Sequence, residues 1–127
     1  MGLKEELEQQ NQTDQYQPTK EDIAYWFKLI NRTIFYGELT PFSKITIKRM
    51  NCMWAAVVYD DEIKNWPLEL HFNIKMPSKR FFIEVLAHEM VHKWQIEINI
   101  DSGNHNKHFY SWRQTFSENG LNLTRTV

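Results

Sequence analysis

The segment LAHEMVHKW, from Leu86 to Trp94, places two histidines and a glutamate in the most apolar part of the chain. His88 and His92 are four residues apart, so on a helix their rings share one face, with Cβ atoms about 6 Å apart. Two imidazole nitrogens at that spacing can bind one Zn²⁺ ion, each at about 2 Å. Glu89 lies roughly 100° around the helix axis, where it can reach a water bound to the metal. The pattern His-Glu-x-x-His therefore predicts two zinc ligands and a general base.

This set of residues predicts the hydrolysis of peptide bonds. Three protein ligands leave one zinc position open to a water, whose pKa falls towards about 7. Glu89 would accept a proton from this water as it attacks the peptide carbonyl, and would then deliver the proton to the leaving amine. The competing interpretation is a metal-free core in which the three polar groups hydrogen-bond to one another. The apolar surroundings disfavour unpaired burial, which would cost several kcal/mol.

The third ligand is left open by spacing alone. Metzincin-type spacing would place a histidine six residues after His92, but Ile98 stands there, so this class is excluded. The remaining candidates are His105 and His108, in the polar stretch GNHNKHF, and Glu118 farther along the chain.

Hydrophobic periodicity predicts the elements that would support this site. Apolar residues at three- and four-residue steps after Thr19, a helix-capping residue, predict a helix that ends near Gly37. Alternation of apolar and polar residues predicts strands over 43–50 and 68–74, and MWAAVVYD, over 53–60, is a further strand candidate. Since short polar segments join these strands, we expect a small three-stranded antiparallel sheet.

The two histidines lie on a helix predicted over 79–98, after the capping residue Ser78. Its apolar residues run nearly all the way round, so this helix should be central and buried. A polar loop over 99–108 and a last helix that stops near Gly120 follow. The order is helix, sheet, active-site helix and final helix, which predicts an α+β domain. Most tryptophans should be core residues, namely Trp54, Trp66, Trp94 and Trp112.

Length and composition predict one folded domain. The chain has 127 residues, of which 15 are Lys or Arg and 16 are Asp or Glu, a balance unlike that of a strongly basic nucleic-acid binder. Its single cysteine, Cys52, excludes an internal disulfide framework. Residues 1–17 are polar and predict a flexible tail, or a loose helix over the first ten residues, ahead of a domain over 18–127. No signal-peptide pattern or membrane-length apolar run is visible, so we expect a cytoplasmic protein without membrane contact.

Four motifs together resemble the SprT-like domain family of zinc metalloproteases. They are FYGEL at 35–39, LELHFN at 68–73, Pro77 ahead of LAHEMVH at 86–92, and HNKHF at 105–109. The resemblance implies a zincin-like minimal metalloprotease domain with Zn²⁺ as its cofactor. It also implies that His88, His92 and His105 bind zinc and that Glu89 is catalytic. Protein substrates, including proteins associated with DNA, are expected from the resemblance alone, and we expect a monomer.

The sequence departs from the family pattern at several positions. Asn106 replaces the Gly that usually follows the third histidine, and could keep the turn by adopting a left-handed conformation. His108 stands where the family commonly has Glu. We expect a domain without the cysteine-based zinc ribbon that many relatives carry after it, which weakens the expectation of DNA binding. Small groups of basic residues could still form a rim, at Lys44, Lys48 and Arg49 and at Lys75, Lys79 and Arg80.

Other residues could support the site. His108, His71 and Tyr110 are candidates for contacts with the ligands or with substrate. A donor to the transition-state oxyanion could come from Tyr59, Tyr110 or Arg113. An extended substrate could pair with the strand LELHFNI or with the strand MWAAVVYD. Two alternative functions stay open: a non-catalytic zinc module that binds a protein partner, and a zinc hydrolase acting on a non-protein substrate such as cell-wall peptide.

Overall fold

The chain is described by a computed structural model over residues 2–60, 62 and 67–124. In the described residues, two helices are followed by three strands and then by three further helices, an α+β arrangement, as predicted. The elements are α1 (Leu3–Glu8), α2 (Lys20–Ile34), β1 (Lys44–Lys48), β2 (Ala55–Val58), β3 (Glu69–Asn73), α3 (Lys79–Glu97), α4 (Lys107–Tyr110) and α5 (Arg113–Glu118).

Helix α2 begins directly after the predicted cap and ends at Ile34, shortly before the predicted stop at Gly37. The side chain of Thr19 accepts a hydrogen bond from the backbone N–H of Asp22 at 3.1 Å and so satisfies one of the free donors of the first turn. After the helix, Tyr36 and Gly37 both have positive φ angles, 55° and 72°. The N–H of Gly37 donates to the carbonyl of Asn31 at 2.8 Å, which closes the helix end.

The sheet is mixed, so the prediction of an antiparallel sheet was wrong. The strand order is β1-β3-β2, with β1 parallel to β3 and β2 antiparallel to it. The connection from β1 to β2 crosses the end of β3, where the side chain of Asn73 donates to the carbonyls of Met50 and Met53 at 2.9 and 3.0 Å. The third strand therefore inserts between the first two. The short polar connections favoured pairing between consecutive strands. The length of a connection does not determine which strands are neighbours in the sheet.

Helix α3 lies at the centre of the core, as its all-round apolar pattern predicts. Ser78 caps it by accepting from the N–H of Phe81 at 3.1 Å. The inner face of the sheet contributes Leu70 and Phe72, both fully buried, and α3 contributes fully buried residues such as Leu86. The two histidines are thus carried by a helix whose side chains are mostly buried. This fixes their spacing.

The N-terminal segment packs more closely than a flexible tail would. Leu3 and Leu7 of α1 are buried in the core. Tyr16 pairs with Met76 through two backbone hydrogen bonds of 2.9 and 2.8 Å. The side chain of Arg80 donates to the carbonyl of Leu7 at 3.2 Å, so α1 is also held to α3 by a polar contact. The alternative of a short helix within the first ten residues is what the structure has.

The last predicted helix is divided into α4 and α5. The hydroxyl of Ser111 donates to the carbonyl of His108 at 2.6 Å and competes there with the backbone hydrogen bond of a continuing helix. Trp54, Trp94 and Trp112 pack against the core as predicted, whereas Trp66 and most of the predicted connection after β2 lie outside the described residues. Within the described residues, none of the helices combines the length and apolar character that crossing a bilayer requires.

Candidate metal centre

Helix α3 presents His88 and His92 on one face, as their spacing predicts. Their Nε2 atoms lie 3.1 Å apart, and their ring centroids are 4.9 Å apart. His88 is buried and His92 is half-buried, so the pair lies at the floor of a cleft.

The loop between α3 and α4 brings His105 to this pair. Its Nε2 atom lies 3.3 Å from the Nε2 atom of His88 and 3.3 Å from that of His92. Among the described residues, these three histidines form the group that could hold a metal ion. The other two candidates for a third ligand are elsewhere: His108 is exposed on α4, and Glu118 bonds to Gln114 on α5.

The three nitrogens have a spacing that suits a zinc ion. Nitrogen ligands at about 2.0–2.1 Å from a tetrahedral Zn²⁺ lie roughly 3.3–3.4 Å from one another. The measured separations are 3.1, 3.3 and 3.3 Å. Mutual hydrogen bonding would serve these nitrogens poorly, because each ring nitrogen has a single proton or a single lone pair and can bond well to only one of the two others. The donor set therefore fits a divalent metal better than a metal-free polar core.

One aromatic ring supports all three histidines. Phe109, on α4, is fully buried, and its ring centroid lies 4.9 Å from those of His88 and His92 and 4.8 Å from that of His105. The ring of His92 stacks on it at 26° between planes. Phe109 thus limits the rotation of each imidazole and links α4 to the site.

Burial keeps the two helical histidines neutral. The pKa of His88 is lowered to about 3, mainly by burial and also by the neighbouring His92 and His105, while a hydrogen bond to the backbone of Thr124 acts in the opposite direction. The pKa of His92 is also lowered, mainly by burial. Neutral imidazole is the form that binds a metal, so both residues are in the competent protonation state near pH 7.

Glu89 lies beside the histidines in a site that is almost closed to water. It is 5% exposed, and burial raises its pKa to about 8. The backbone N–H of Val57 in β2 bonds to its carboxylate and acts in the opposite direction. A raised pKa makes the ionised carboxylate a stronger base, and the positive charge of a bound metal ion would favour that ionised form.

A cleft of about 250 Å³ joins these groups to the edge of the sheet. Strand β2 forms one wall and the His105 loop the other, and Glu89 and the three histidines line the space between. The backbone N–H of Asn73 donates to the backbone carbonyl of Trp54 at 2.9 Å. Because bonded and non-bonded pairs alternate along an antiparallel ladder, the backbone groups of Ala55 and Val57 point away from β3 and towards the open edge.

In the described part of the chain, the other predicted site residues do not belong to the group of histidines that could hold a metal ion. His71 is on the outer face of the central strand, with its Nε2 atom 3.8 Å from Glu69. Tyr110 pairs with Arg113, whose guanidinium lies 4.5 Å from the centre of the tyrosine ring. Tyr59 is the oxyanion candidate that lines the cleft, and its hydroxyl donates to the carbonyl of Ser102 at 3.3 Å.

Asn106 does not take the left-handed conformation expected of it. Its φ is −108°, and its side chain caps α4 by accepting from the N–H groups of His108 and Phe109 at 3.0 and 3.2 Å. The turn thus survives through a capping contact, because Asn is among the best N-cap residues. The sequence Asn-Lys-His-Phe ahead of the last apolar stripe was a signal for this cap.

Two polar contacts around the site were missed by the sequence analysis. Gln95 is fully buried and bonds both to His92 and to residues of the His105 loop. It follows His92 by three residues, a spacing that places it on the same helix face and could have identified it. The backbone N–H of Val57 could not have been identified from the sequence, because almost any residue at that strand position supplies the same N–H.

Comparison with known proteins agrees with the geometry of this site. The SprT-like family matches residues 23–127, which span both helical histidines, Glu89, His105 and the strands that form the cleft. No curated protein and no solved structure was found to match the chain. Because the match covers most of the sequence, the chain belongs to the SprT-like family.

Proposed function

We propose that this protein is a zinc-dependent peptidase in which Glu89 acts as general base. The observation that carries the proposal is the convergence of three Nε2 atoms, 3.1–3.3 Å apart, beside a buried carboxylate in one cleft. Membership of the SprT-like family supports it, since that family suggests a metalloprotease-type domain.

His88, His92 and His105 would hold the zinc ion through their Nε2 atoms. When bound, zinc supplies a Lewis acid that polarises the substrate carbonyl and lowers the pKa of a water. The histidines contribute neutral donors whose rings are held against Phe109. The cleft leaves space on the Glu89 side of the cluster for water and for a peptide carbonyl.

Glu89 would move the proton. Its carboxylate takes a proton from the attacking water and gives it to the amine nitrogen as the peptide bond breaks, so the products are a carboxylic acid and an amine. The N–H of Val57 holds the carboxylate towards the cleft before substrate binds.

Strand β2 would bind the substrate backbone. It is an edge strand, and the backbone groups of Ala55 and Val57 are directed to its open side. An extended peptide could pair with the backbone of Ala55 and with the carbonyl of Val57, whose N–H is bonded to Glu89, and lie across the cleft with its own carbonyl near the three histidines. The small side chains of Ala55 and Ala56 leave room for a peptide that approaches the strand closely.

Proteins associated with DNA are the substrates that we propose from the family resemblance. On this chain, Lys44 and Lys48 lie on the outer face of the sheet, where the strand register places them beside Glu69 and Asn73. We propose that the protein acts as a monomer.

The test compares the wild-type protein with Glu89→Gln and with the control Glu84→Gln. Glu84 is on the same helix, and its side chain accepts from the N–H of Asn122, a contact that Gln can keep. Digestion of casein and histone, with and without DNA, should fall by about 10²–10⁴-fold in Glu89→Gln, the usual contribution of a general base. Zinc content by mass spectrometry should be equal in all three proteins.

Two results would contradict the proposal. Equal digestion by wild type and Glu89→Gln would exclude Glu89 as the base. Stoichiometric zinc without cleavage of any protein would favour a non-catalytic binding module, or a hydrolase that acts on a non-protein substrate.

A further inference from the structure

We propose that Gln95 is the positioning residue of the metal centre, which it prepares in two ways. It fixes the tautomer of His92, so that the Nε2 lone pair faces the cluster. It also anchors the loop that carries His105. The inference deepens the proposed function and rests on it, because it assigns the contacts that would make the three nitrogens available to zinc together.

The orientation of the Gln95 amide follows from its partners. Its Nε2 atom lies 3.1 Å from a carboxylate oxygen of Asp101 and 2.8 Å from the backbone carbonyl of Asn104. Both partners can only accept hydrogen bonds, so this end of the amide must be the NH₂ group. The other end, Oε1, therefore faces Nδ1 of His92, at 2.9 Å.

This orientation determines where His92 carries its proton. Oε1 is an acceptor, so the Nδ1 atom of His92 must be the donor. In a neutral imidazole the other nitrogen is then unprotonated. Its lone pair points towards the Nε2 atoms of His88 and His105, which are 3.1 and 3.3 Å away. His92 is thus a ligand-ready imidazole before any metal binds.

The same amide connects α3 to the His105 loop. Its NH₂ group reaches the residues on both sides of a turn: Asp101 near the start of the loop, and Asn104 immediately before His105. It also lies 3.2 Å from Oδ1 of Asn106, immediately after His105. The side chain of Asn106 in turn donates to both carboxylate oxygens of Asp101, at 3.2 and 3.1 Å. A single buried side chain therefore joins the second helical histidine to both flanks of the third.

Burial makes the loss of these contacts costly in free energy. Gln95 is fully buried, and a buried amide without partners would be strongly unfavourable. Each of its polar atoms is used, one by the histidine and the other by the loop. Loss of the side chain would therefore remove the acceptor that faces Nδ1 of His92 and the shared attachment of the loop.

The experiment uses Gln95→Leu and Gln95→Glu. Leu removes both contacts, so its zinc dissociation constant, measured by competition with a chelator, should rise by about 10–100-fold, as is usual for a partner of a metal-binding histidine. Glu keeps an acceptor for His92 but loses the donors to the loop. In Gln95→Glu we expect the wild-type tautomer of His92, together with faster amide hydrogen exchange over residues 104–106.

The tautomer is read in the zinc-free protein from long-range ¹H–¹⁵N correlations of the imidazole rings. We expect His92 protonated at Nδ1 in the wild type, and a mixture of tautomers in Gln95→Leu. The control is Asn31→Leu, which removes a side chain that bonds to the N–H and the carbonyl of Leu39, away from the site. It should lower thermal stability without changing the tautomer or the zinc affinity.

Three results would overturn the inference: protonation of His92 at Nε2 in the wild type, a zinc affinity of Gln95→Leu within about twofold of the wild type, or the same loss of affinity in Asn31→Leu. If Gln95→Leu does not fold, the wild-type tautomer and Gln95→Glu decide the matter. Failure of the wild-type protein to bind zinc would reject the proposed metal centre, while the tautomer would still test the role of Gln95.

Discussion

Two regions deliver the three histidines, and they are built in different ways. Helix α3 carries His88 and His92 on a backbone that is buried along most of its length and capped by Ser78. His105 comes from the segment 99–106, in which most residues are exposed or half-buried and the backbone bends through positive φ angles at Ile100 and Gly103. Both regions nevertheless place their nitrogens within 3.3 Å of each other.

Different kinds of contact hold the helical ligands and the loop ligand in place. The helical pair is fixed by backbone periodicity and by apolar packing, so its geometry is set before any polar contact is considered. The loop has little apolar surface to bury, and its position depends on hydrogen bonds that converge on Asp101, Asn106 and Gln95. A change in the helix should therefore alter stability first, whereas a change in the loop should alter metal affinity first.

The largest expected effect is the loss of zinc affinity when the ligand nitrogen of His105 is removed from the loop. His105→Ala should weaken zinc binding by more than about 100-fold, beyond the range seen for partners that do not touch the metal. His108→Ala, the matched control three residues away, should bind zinc as the wild type does, because His108 lies outside the cluster. Chelator competition measures both values. Zinc loss in His108→Ala alone would show that the loop presents a different ligand.

Phe109 links the two regions, so replacing it should affect both properties. Phe109→Leu should lower the free energy of unfolding by about 1–2 kcal/mol, within the usual range for a buried substitution. Zinc affinity should fall as well, since the ring contacts all three histidines. The control is Phe116→Leu on α5, which is equally buried. It should lose similar stability in urea unfolding and keep its zinc affinity. Equal zinc affinity in the two variants would show that Phe109 has no role in metal binding.

The sequence was informative about the helix and much less so about the loop. The cap at Ser78 and the four-residue spacing of His88 and His92 predicted the local structure, because both depend on contacts between residues close in the chain. Spacing alone left three candidates for the third ligand, and only the family resemblance pointed to His105. In the structure, contacts of Gln95 hold the His105 loop beside the helical pair. Such contacts cannot be predicted from the spacing of residues along the sequence.

The sheet shows the same limit at a larger scale. The three strands were predicted close to their observed positions, since the residue pattern that favours a strand is a local property. Their order was not, because it depends on where the connection after β1 crosses β3 and on contacts such as those of Asn73. That order decides which strand lies at the open edge beside the cleft, and it leaves β2 there.

The smallest effect is expected where the loop stores backbone strain. Ile100 has a φ of 52°, a conformation that β-branched residues rarely adopt, and it is 80% exposed. Ile100→Gly should raise the free energy of unfolding by about 0.5–1 kcal/mol, because relief of strain exceeds the entropic cost of glycine. Ile98→Gly is the control, since Ile98 has an ordinary φ of −109° and should lose stability. Thermal unfolding of both variants checks the signs, and destabilisation by Ile100→Gly would contradict strain at this position.

A crystal structure of the protein grown with zinc tests the central claim most directly. We predict one ion bound by the Nε2 atoms of His88, His92 and His105, each at about 2.0–2.1 Å, with Glu89 beside it and the fourth position open to the cleft. An ion held by the helical pair with His108 or Glu118, or a His105 ring turned into bulk solvent, would contradict the account.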